Sequence, residues 1–179
     1  MRIVGGKYRG KKLISPMSQN VRPTSDKARE ALFNILRSRL GGNYSKLKLL
    51  DIFSGSGAFG LEAISQGFAE VALIDIDTRD LQKNVDLFVS EKNKIKVVRA
   101  DITNDVFLSA KYDVLFSDAP YNKGLTEKAL EKIYPFLNNG ALCFIELEKN
   151  EQCTLPHQYT LLDERNYGAA KVMIVQVTS

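Results

Sequence analysis

Residues 49–60 have the sequence LLDIFSGSGAFG, in which an apolar run of strand length leads through closely spaced glycines into a helical pattern. Gly55, Gly57 and Gly60 match the pattern G-x-G-x-x-G in full. Glycines at these positions let the backbone turn tightly and approach a ligand, which then meets the free N–H groups at the start of the helix. The stretch therefore predicts a ligand-binding turn between a strand and its crossover helix.

Apolar runs of strand length alternate with helical patterns on both sides of this turn, which is typical of a parallel sheet with crossover helices. We predict strands at 48–53, 70–76, 95–100, 112–117 and 141–147, and helices at 57–66, 78–91, 103–109 and 124–137. Two last strands, at 159–167 and 170–177, are separated only by a turn at Gly168, so they must pair antiparallel. The predicted fold is α/β and Rossmann-like, with a mostly parallel seven-stranded sheet that ends in an antiparallel hairpin.

The first part of the chain has a different pattern. Residues 2–14 resemble a small β-hairpin with a turn at Gly5-Gly6, and 16–23 form a polar linker. A helix follows, which Thr24, Ser25 or Asp26 can cap and Gly41-Gly42 ends. Because the hairpin is too short to bury a core alone, we divide the chain into an extension, 1–22, and one main domain, 23–179.

Composition limits the class of protein. The chain has 179 residues, of which 44% are hydrophobic and 26% charged, as in a soluble globular domain. No segment approaches the about 20 apolar residues that span a bilayer, and no apolar stretch of a secretory signal follows the N-terminus. We therefore expect a cytoplasmic protein. Cys143, Cys153 and His157 are too few for a disulfide scaffold or a four-ligand zinc site, so we predict no metal.

The charge is distributed unevenly along the chain. Residues 1–48 contain 12 Lys and Arg against 2 Asp and Glu, a net charge of +10, whereas the remaining residues contain 13 against 19, a net charge of −6. A basic segment of this kind indicates a polyanionic partner, because each neutralised phosphate releases condensed counterions.

Acidic residues at the predicted strand ends indicate the cofactor. Asp75 lies 20 residues after Gly55, where a carboxylate can accept both hydroxyls of an adenosine ribose. Asp51 precedes the first glycine by four residues, where it would repel a pyrophosphate but suit the amino group of a methionine moiety. S-adenosylmethionine is therefore favoured over NAD. Asp101 can accept from the adenine amino group, or it can cap the following helix. The predicted cofactor contacts are Thr24, Asp51, Phe53, Ser54, Gly55, Ser56, Gly57, Asp75, Ile76, Asp101 and Ile102.

A second motif, 117–121 (SDAPY), follows the strand at 112–117. It resembles the D/N-P-P-Y/F motif of methyltransferases that modify exocyclic amino nitrogens of nucleic acids. With three further motifs, RIVGGxxRGxxL at 2–13, RPT at 22–24 and RExLFN at 29–34, the chain resembles the RsmD family of 16S rRNA guanine-N2 methyltransferases over essentially its whole length. Ala119 departs from the family, which normally has proline there.

The resemblance implies S-adenosylmethionine-dependent methylation of N2 of one guanine in 16S rRNA, within an assembling 30S subunit and with no membrane or obligate protein partner. An exocyclic amine is a poor nucleophile because its lone pair is delocalised into the ring. Asp118 and the backbone carbonyl of Ala119 can accept its two N–H groups and aim the lone pair at the methyl group. Pro120 stiffens the loop, and Tyr121 can stack on the extruded base.

The basic N-terminal segment would then bind RNA. Tyr8 can either stack on a base or anchor the hairpin to the main domain. The predicted phosphate contacts are Lys7, Arg9, Lys11, Lys12, Arg22, Lys27 and Arg29.

Three alternatives differ in class. An adenine-N6 or cytosine-N4 methyltransferase shares the second motif but usually adds a target-recognition segment, for which this chain has no room. An NAD-dependent oxidoreductase shares the glycines but needs a substrate domain and a proton-transfer residue. A non-catalytic RNA-binding module leaves the four strand-end acids unexplained.

Overall fold

The computed structural model describes residues 1–15, 24–104, 106–121 and 123–178. Its helices are α1 (Asp26–Leu40), α2 (Ala58–Ser65), α3 (Arg79–Asp86) and α4 (Leu125–Ile133), with 3₁₀ segments at Val89–Lys94 and Tyr134–Phe136. Its strands are β1 (Lys48–Ile52), β2 (Glu70–Asp75), β3 (Ile95–Arg99), β4 (Tyr112–Asp118), β5 (Leu137–Glu148), β6 (Tyr159–Tyr167) and β7 (Ala170–Val177).

The seven strands form one sheet in the order β3-β2-β1-β4-β5-β7-β6. The first five strands in this order are parallel, whereas β7 lies between β5 and β6 and is antiparallel to both. The predicted α/β fold and its antiparallel C-terminal hairpin are confirmed. Strand order reverses beside β1, which pairs with both β2 and β4. Ligands of open α/β sheets bind at the carboxyl ends of the strands at this kind of reversal.

Two hydrophobic cores cover the two faces of the sheet. Leu32, Phe33 and Leu36 of α1 pack on one face together with α2 and α3, and Leu130 and Ile133 of α4 pack on the other. The central strands are therefore buried on both faces, which explains their continuous apolar runs.

Helix α1 begins and ends as its sequence predicts. The Ser25 hydroxyl accepts the Ala28 N–H at 3.1 Å, so Ser25 is the N-cap among the three candidates. At the other end Gly41 adopts φ +75° and donates its N–H to the Arg37 carbonyl. The Ser25 cap fixes the start of α1 at Asp26, two residues after Thr24.

Some predicted elements are wrong. Residues 103–109 were predicted to be helical, but the described residues there form a turn in which the Asp101 carboxylate accepts the Thr103 N–H at 2.9 Å and its hydroxyl at 2.7 Å. Such local bonds compete with helix formation. Strand β5 begins at Leu137 rather than 141, because Asn138 donates to Asp113 of β4 at 2.8 Å across a bulge. Helices α3 and α4 end in 3₁₀ segments and are shorter than predicted.

The N-terminal hairpin is reduced to a single antiparallel bridge between Arg2 and Lys12. Ile3 and Leu13 beside this bridge are buried in the same core as α1, so the segment packs on the main domain. The predicted linker and the predicted boundary at 22/23 lie outside the described residues. In the part of the chain that the structure describes, no helix is long and apolar enough to span a membrane.

Candidate active site

The glycine turn between β1 and α2 holds a buried carboxylate. Asp51 is 1% exposed, and its Oδ2 accepts the Gly60 N–H at 3.0 Å. No donor from the described residues reaches its Oδ1. Burial raises the pKa of Asp51 to about 8, the Gly60 bond opposes this rise, and the charge of Asp75 adds to it. A buried oxygen without a donor is costly, so this side chain suits a cationic ligand group.

Two of the glycines are required by packing as well as by the turn. A Cβ on Gly57, which has φ +76°, would lie 2.4 Å from Leu81 Cδ1, and one on Gly60 would lie 2.2 Å from Leu73 Cδ2. Phe53, the residue after β1, has φ +56° although it is not glycine. Such left-handed backbone is disfavoured for aromatic residues and clusters at functional sites. The turn thus follows a path that brings its backbone close to the end of β1.

Asp75 at the end of β2 is bonded to the same turn. Its Oδ2 accepts the Gly55 N–H at 2.8 Å, and its Oδ1 accepts the Asp77 N–H at 3.0 Å. Each carboxylate oxygen has two lone-pair sites, so Asp75 keeps acceptor capacity for a ligand. Ile76 next to it is 66% exposed and offers an apolar surface beside the turn.

A second pair of carboxyl groups lies at the end of β4 and near the end of β5. Asp118 and Glu146 are partners in the parallel register of these strands. Glu146 is 4% exposed, and it accepts the Thr24 hydroxyl at 2.7 Å on Oε2 and the Tyr121 hydroxyl at 3.3 Å on Oε1. The start of α1 and the loop after β4 therefore converge on one buried carboxylate.

Burial and mutual repulsion perturb this pair. Burial, followed by the charges of Glu146 and Asp51, raises the pKa of Asp118 well above its usual range. Burial also raises the pKa of Glu146, whereas the bonds from Thr24 and Tyr121 lower it. Carboxyl groups with raised pKa values in a depression are characteristic of functional sites.

Two depressions meet here. The first is lined by residues of the glycine turn together with Thr24, Arg29, Asp51 and Asp118. The second is lined by Tyr121, Glu146, Tyr167 and neighbouring residues, and it shares Thr24 with the first. Residues of the predicted cofactor turn and the predicted amine acceptor Asp118 therefore line the same first depression.

Comparisons with known proteins identify the family of this chain. The family described as Conserved hypothetical protein 95 matches residues 1–176. The Escherichia coli K12 protein named Ribosomal RNA small subunit methyltransferase D is 34% identical over 185 residues, which cover 98% of this chain and 89% of that protein. The Haemophilus influenzae protein of the same name is 30% identical over 184 residues, which cover 98% and 93%. This chain belongs to the RsmD family.

A solved Escherichia coli structure, named as a candidate methyltransferase, has the same fold as this RsmD-family chain. It superposes with a TM-score of 0.82 at 31% identity, covering 99% of this chain and 98% of the other.

Of the remaining predicted cofactor contacts, four line the first depression. Phe53, Ser54, Gly55 and Ser56 line it directly. Asp101 is exposed and engaged in the turn with Thr103, and these bonds lower its pKa. Among the described residues that follow it, Asp101 caps no helix, which corrects the alternative interpretation. Ile102 is buried in the core under α4, and the Asp101, Ile76 and Ile102 contacts stay predictions.

The predicted RNA contacts of this RsmD-family chain differ in their surroundings. Lys7 Nζ contacts Glu91 Oε1 at 2.7 Å while its side chain stays 64% exposed, and Lys11 Nζ donates to the Leu87 carbonyl at 2.8 Å. Tyr8 packs edge-to-face on Phe88 and contacts Glu91, so it anchors the segment to the main domain. Arg9, Lys12 and Lys27 are exposed, and Arg22 lies outside the described residues.

Arg29 was predicted to contact phosphate, and this prediction is wrong. Its side chain is 0% exposed, and its guanidinium donates to the Arg2 carbonyl and to Asp26 at 2.8 Å. Its Nε forms an ion pair with buried Glu62 at 3.5 Å. Glu62 in turn accepts the N–H groups of Val4 and Gly5, both at 2.8 Å. Arg29 therefore fastens the N-terminal segment to α1 and α2.

Glu146 is the site residue that sequence reasoning missed. The feature of the sequence that could have identified Glu146 is a carboxylate inside the apolar run 141–147, one residue before that run ends. A charged side chain in a strand buried on both faces requires a partner or a function. Only the register of β5 against β4 shows that it lies beside Asp118.

Proposed function

We propose that this chain transfers a methyl group from S-adenosylmethionine to N2 of one guanine in the 16S rRNA of the small ribosomal subunit. One observation carries the proposal: Asp51 and Asp118 line the same depression. The buried Oδ1 of Asp51 accepts no hydrogen bond from the described residues. One carboxyl group suits a cofactor ammonium and the other suits a substrate amine. The names of the Escherichia coli and Haemophilus influenzae relatives support rRNA as the substrate.

The residues of the turn fit S-adenosylmethionine. Asp51 would bind the ammonium group, and Asp75 would bind the ribose hydroxyls with the acceptor capacity that Gly55 and Asp77 leave. Thr24 lies where both depressions meet and can contact both ligands. The cofactor supplies an electrophilic methyl group on a sulfonium centre. The positive charge of the sulfonium would offset the cost of burying the neighbouring carboxyl groups of Asp51, Asp118 and Glu146.

Residues of the 117–121 motif would orient the amine. Asp118 accepts one N–H of the exocyclic amine and the Ala119 carbonyl accepts the other, which localises the nitrogen lone pair. An in-line displacement then depends mainly on this orientation. The amine loses a proton after the transfer, and the raised pKa of Asp118 suits it to accept that proton. Alanine at 119 keeps the carbonyl but gives up the rigidity of the family proline.

The exposed basic side chains would hold the RNA. Arg2, Arg9 and Lys27 line a groove between the N-terminal segment and α1, together with the acids Asp26 and Glu30. Lys7, Lys11 and Lys12 extend this basic surface along the same segment. Phosphate contacts of this kind fix the position of RNA without specifying its sequence. The choice of base therefore depends on the residues of the candidate active site.

Transfer of a labelled methyl group tests the proposal. We would incubate the protein and tritiated S-adenosylmethionine with small ribosomal subunits, with free 16S rRNA and with DNA, and then digest the products to nucleosides. We expect label in N2-methylguanosine from the ribosomal substrates and none in DNA. Label in N6-methyladenosine or N4-methylcytidine, or no transfer to any ribosomal substrate, would contradict the proposal.

A further inference from the structure

We propose that Glu146 recognises the target base by accepting the N1–H of guanine, while Asp118 beside it accepts an N–H of the 2-amino group. This inference rests on the proposed function and names the residue that selects guanine within it. Glu146 would thus determine specificity.

The two carboxyl groups have the right placement for one base edge. Asp118 is the last residue of β4, and Glu146 lies two residues before the end of the parallel neighbour β5. The two residues are partners in register, so their backbones lie about 4.8 Å apart. Guanine presents the N1–H and the 2-amino group next to each other on its Watson–Crick edge. Two adjacent acceptors therefore match two adjacent donors.

Two hydrogen bonds favour the ionised, accepting form of Glu146 and oppose the effect of its burial. The hydroxyls of Thr24 and Tyr121 donate to its two oxygens at 2.7 and 3.3 Å. An ionised carboxylate has about four lone-pair sites, so these two bonds leave capacity for a further donor. Among the ion pairs of the described residues, none involves Glu146. A buried carboxylate with only hydroxyl partners within the described chain suits a ligand donor.

The second depression has the chemistry of a base pocket. Tyr121 and Tyr167 give it aromatic surface, Val172 and Ala28 give it apolar surface, and Glu146 is its acid. Aromatic side chains stack on unstacked bases, and polar groups bond the Watson–Crick edges. A base in this depression would place its edge toward Asp118, at the border with the cofactor side.

The arrangement also discriminates between bases. Adenine has an unprotonated N1 and cytosine an unprotonated N3 beside their amino groups. A carboxylate in the position of Glu146 would face these nitrogen lone pairs without a hydrogen bond, which penalises both bases. The same amine-orienting motif can therefore be restricted to guanine.

Replacing the target guanosine tests the inference. 2-Aminopurine keeps the 2-amino group but has an unprotonated N1. We would map the methylated guanosine, rebuild small subunits with either base at that position and measure kcat/KM for the wild type, Glu146→Gln and Glu131→Gln. Glu131 is exposed on α4, so its variant makes the same chemical change away from the site.

We expect the wild type to prefer guanosine by at least about tenfold, because the analogue leaves a buried acceptor unpaired. Glu146→Gln should lower kcat/KM for guanosine and shift the preference toward 2-aminopurine by at least about tenfold, since the amide can donate to N1. Glu131→Gln should match the wild type.

Equal wild-type rates on both bases would overturn the inference whether or not Glu146→Gln folds. The inference would also be overturned if Glu146→Gln lowered kcat/KM for guanosine and for 2-aminopurine by the same factor, because a purely structural role would have that effect. Affinity for S-adenosylmethionine and thermal unfolding of each variant identify a folding defect. If the wild type methylates no guanosine amine, the proposed function fails instead, which the nucleoside digest shows separately.

Discussion

Replacing Asp51 with asparagine should stabilise the ligand-free protein and weaken its binding of S-adenosylmethionine. The amide oxygen can still accept the Gly60 N–H that Oδ2 accepts at 3.0 Å. The variant therefore keeps the bond that holds the turn and removes only the buried charge. An ammonium ligand would lose a charged acceptor, which weakens binding by about tenfold or more.

The size of the stabilisation depends on pH. The pKa of Asp51 is raised from 3.8 to about 8 in the folded protein, so the folded state holds a proton that the unfolded state releases. The stability that this proton confers is complete below the unfolded pKa and is lost as pH rises through the folded pKa. Each pH unit between these values withdraws about 1.4 kcal/mol. Between pH 5 and 7.5 the free energy of unfolding of the wild type should fall by up to roughly 3 kcal/mol, whereas Asp51→Asn should show no such fall.

Urea unfolding at pH 5, 6, 7 and 7.5 measures this difference, and calorimetric titration measures cofactor binding. Glu131→Gln, an exposed acid-to-amide change on α4, is the matched control and should follow the wild type in both assays. If the free energies of unfolding of wild type and Asp51→Asn stay parallel over this pH range, Asp51 does not hold a proton in the fold. If calorimetry shows unchanged affinity, the ammonium binds elsewhere.

Further substitutions test the other parts of the site. Asp75→Asn should weaken S-adenosylmethionine binding at least about tenfold by calorimetry, because the ribose loses a charged acceptor; unchanged affinity in the folded variant would move the ribose elsewhere. Asp118→Ala should keep cofactor affinity and remove most methyl transfer in single-turnover assays. More than about a tenth of the wild-type rate, an effect under roughly 1.4 kcal/mol, would refute its role in orienting the amine. Arg9→Ala with Lys12→Ala should weaken RNA binding and lower the log–log salt slope by about 0.7 per lost phosphate contact, with thermal stability unchanged; an unchanged slope would show that both side chains are merely solvated. Gly60→Ala should lower the free energy of unfolding by about 1–3 kcal/mol, since its Cβ would overlap Leu73 Cδ2, and an unchanged urea midpoint would contradict this.

Much of the fold is predictable because it is local in the sequence. Strand and helix periods, the glycine spacing of 55–60 and the short turn at Gly168 each lie within a few consecutive residues. The wrong predictions of helix and strand positions also have local causes. Asp101 bonds to its own neighbours and prevents the helix predicted at 103–109, and a bulge lets β5 start early at Leu137.

The sequence by itself determined the glycine turn, the acids near the strand ends and the 117–121 motif, because each is a pattern of residue types along one stretch. Only the tertiary structure decided that Arg29 is buried against Glu62 and that β7 separates β5 from β6. It also decided that Glu146 lies beside Asp118 under the hydroxyl of Thr24, which is 122 residues away in the chain. Such contacts depend on how distant segments pack, and packing depends on the whole sequence rather than on any stretch of it.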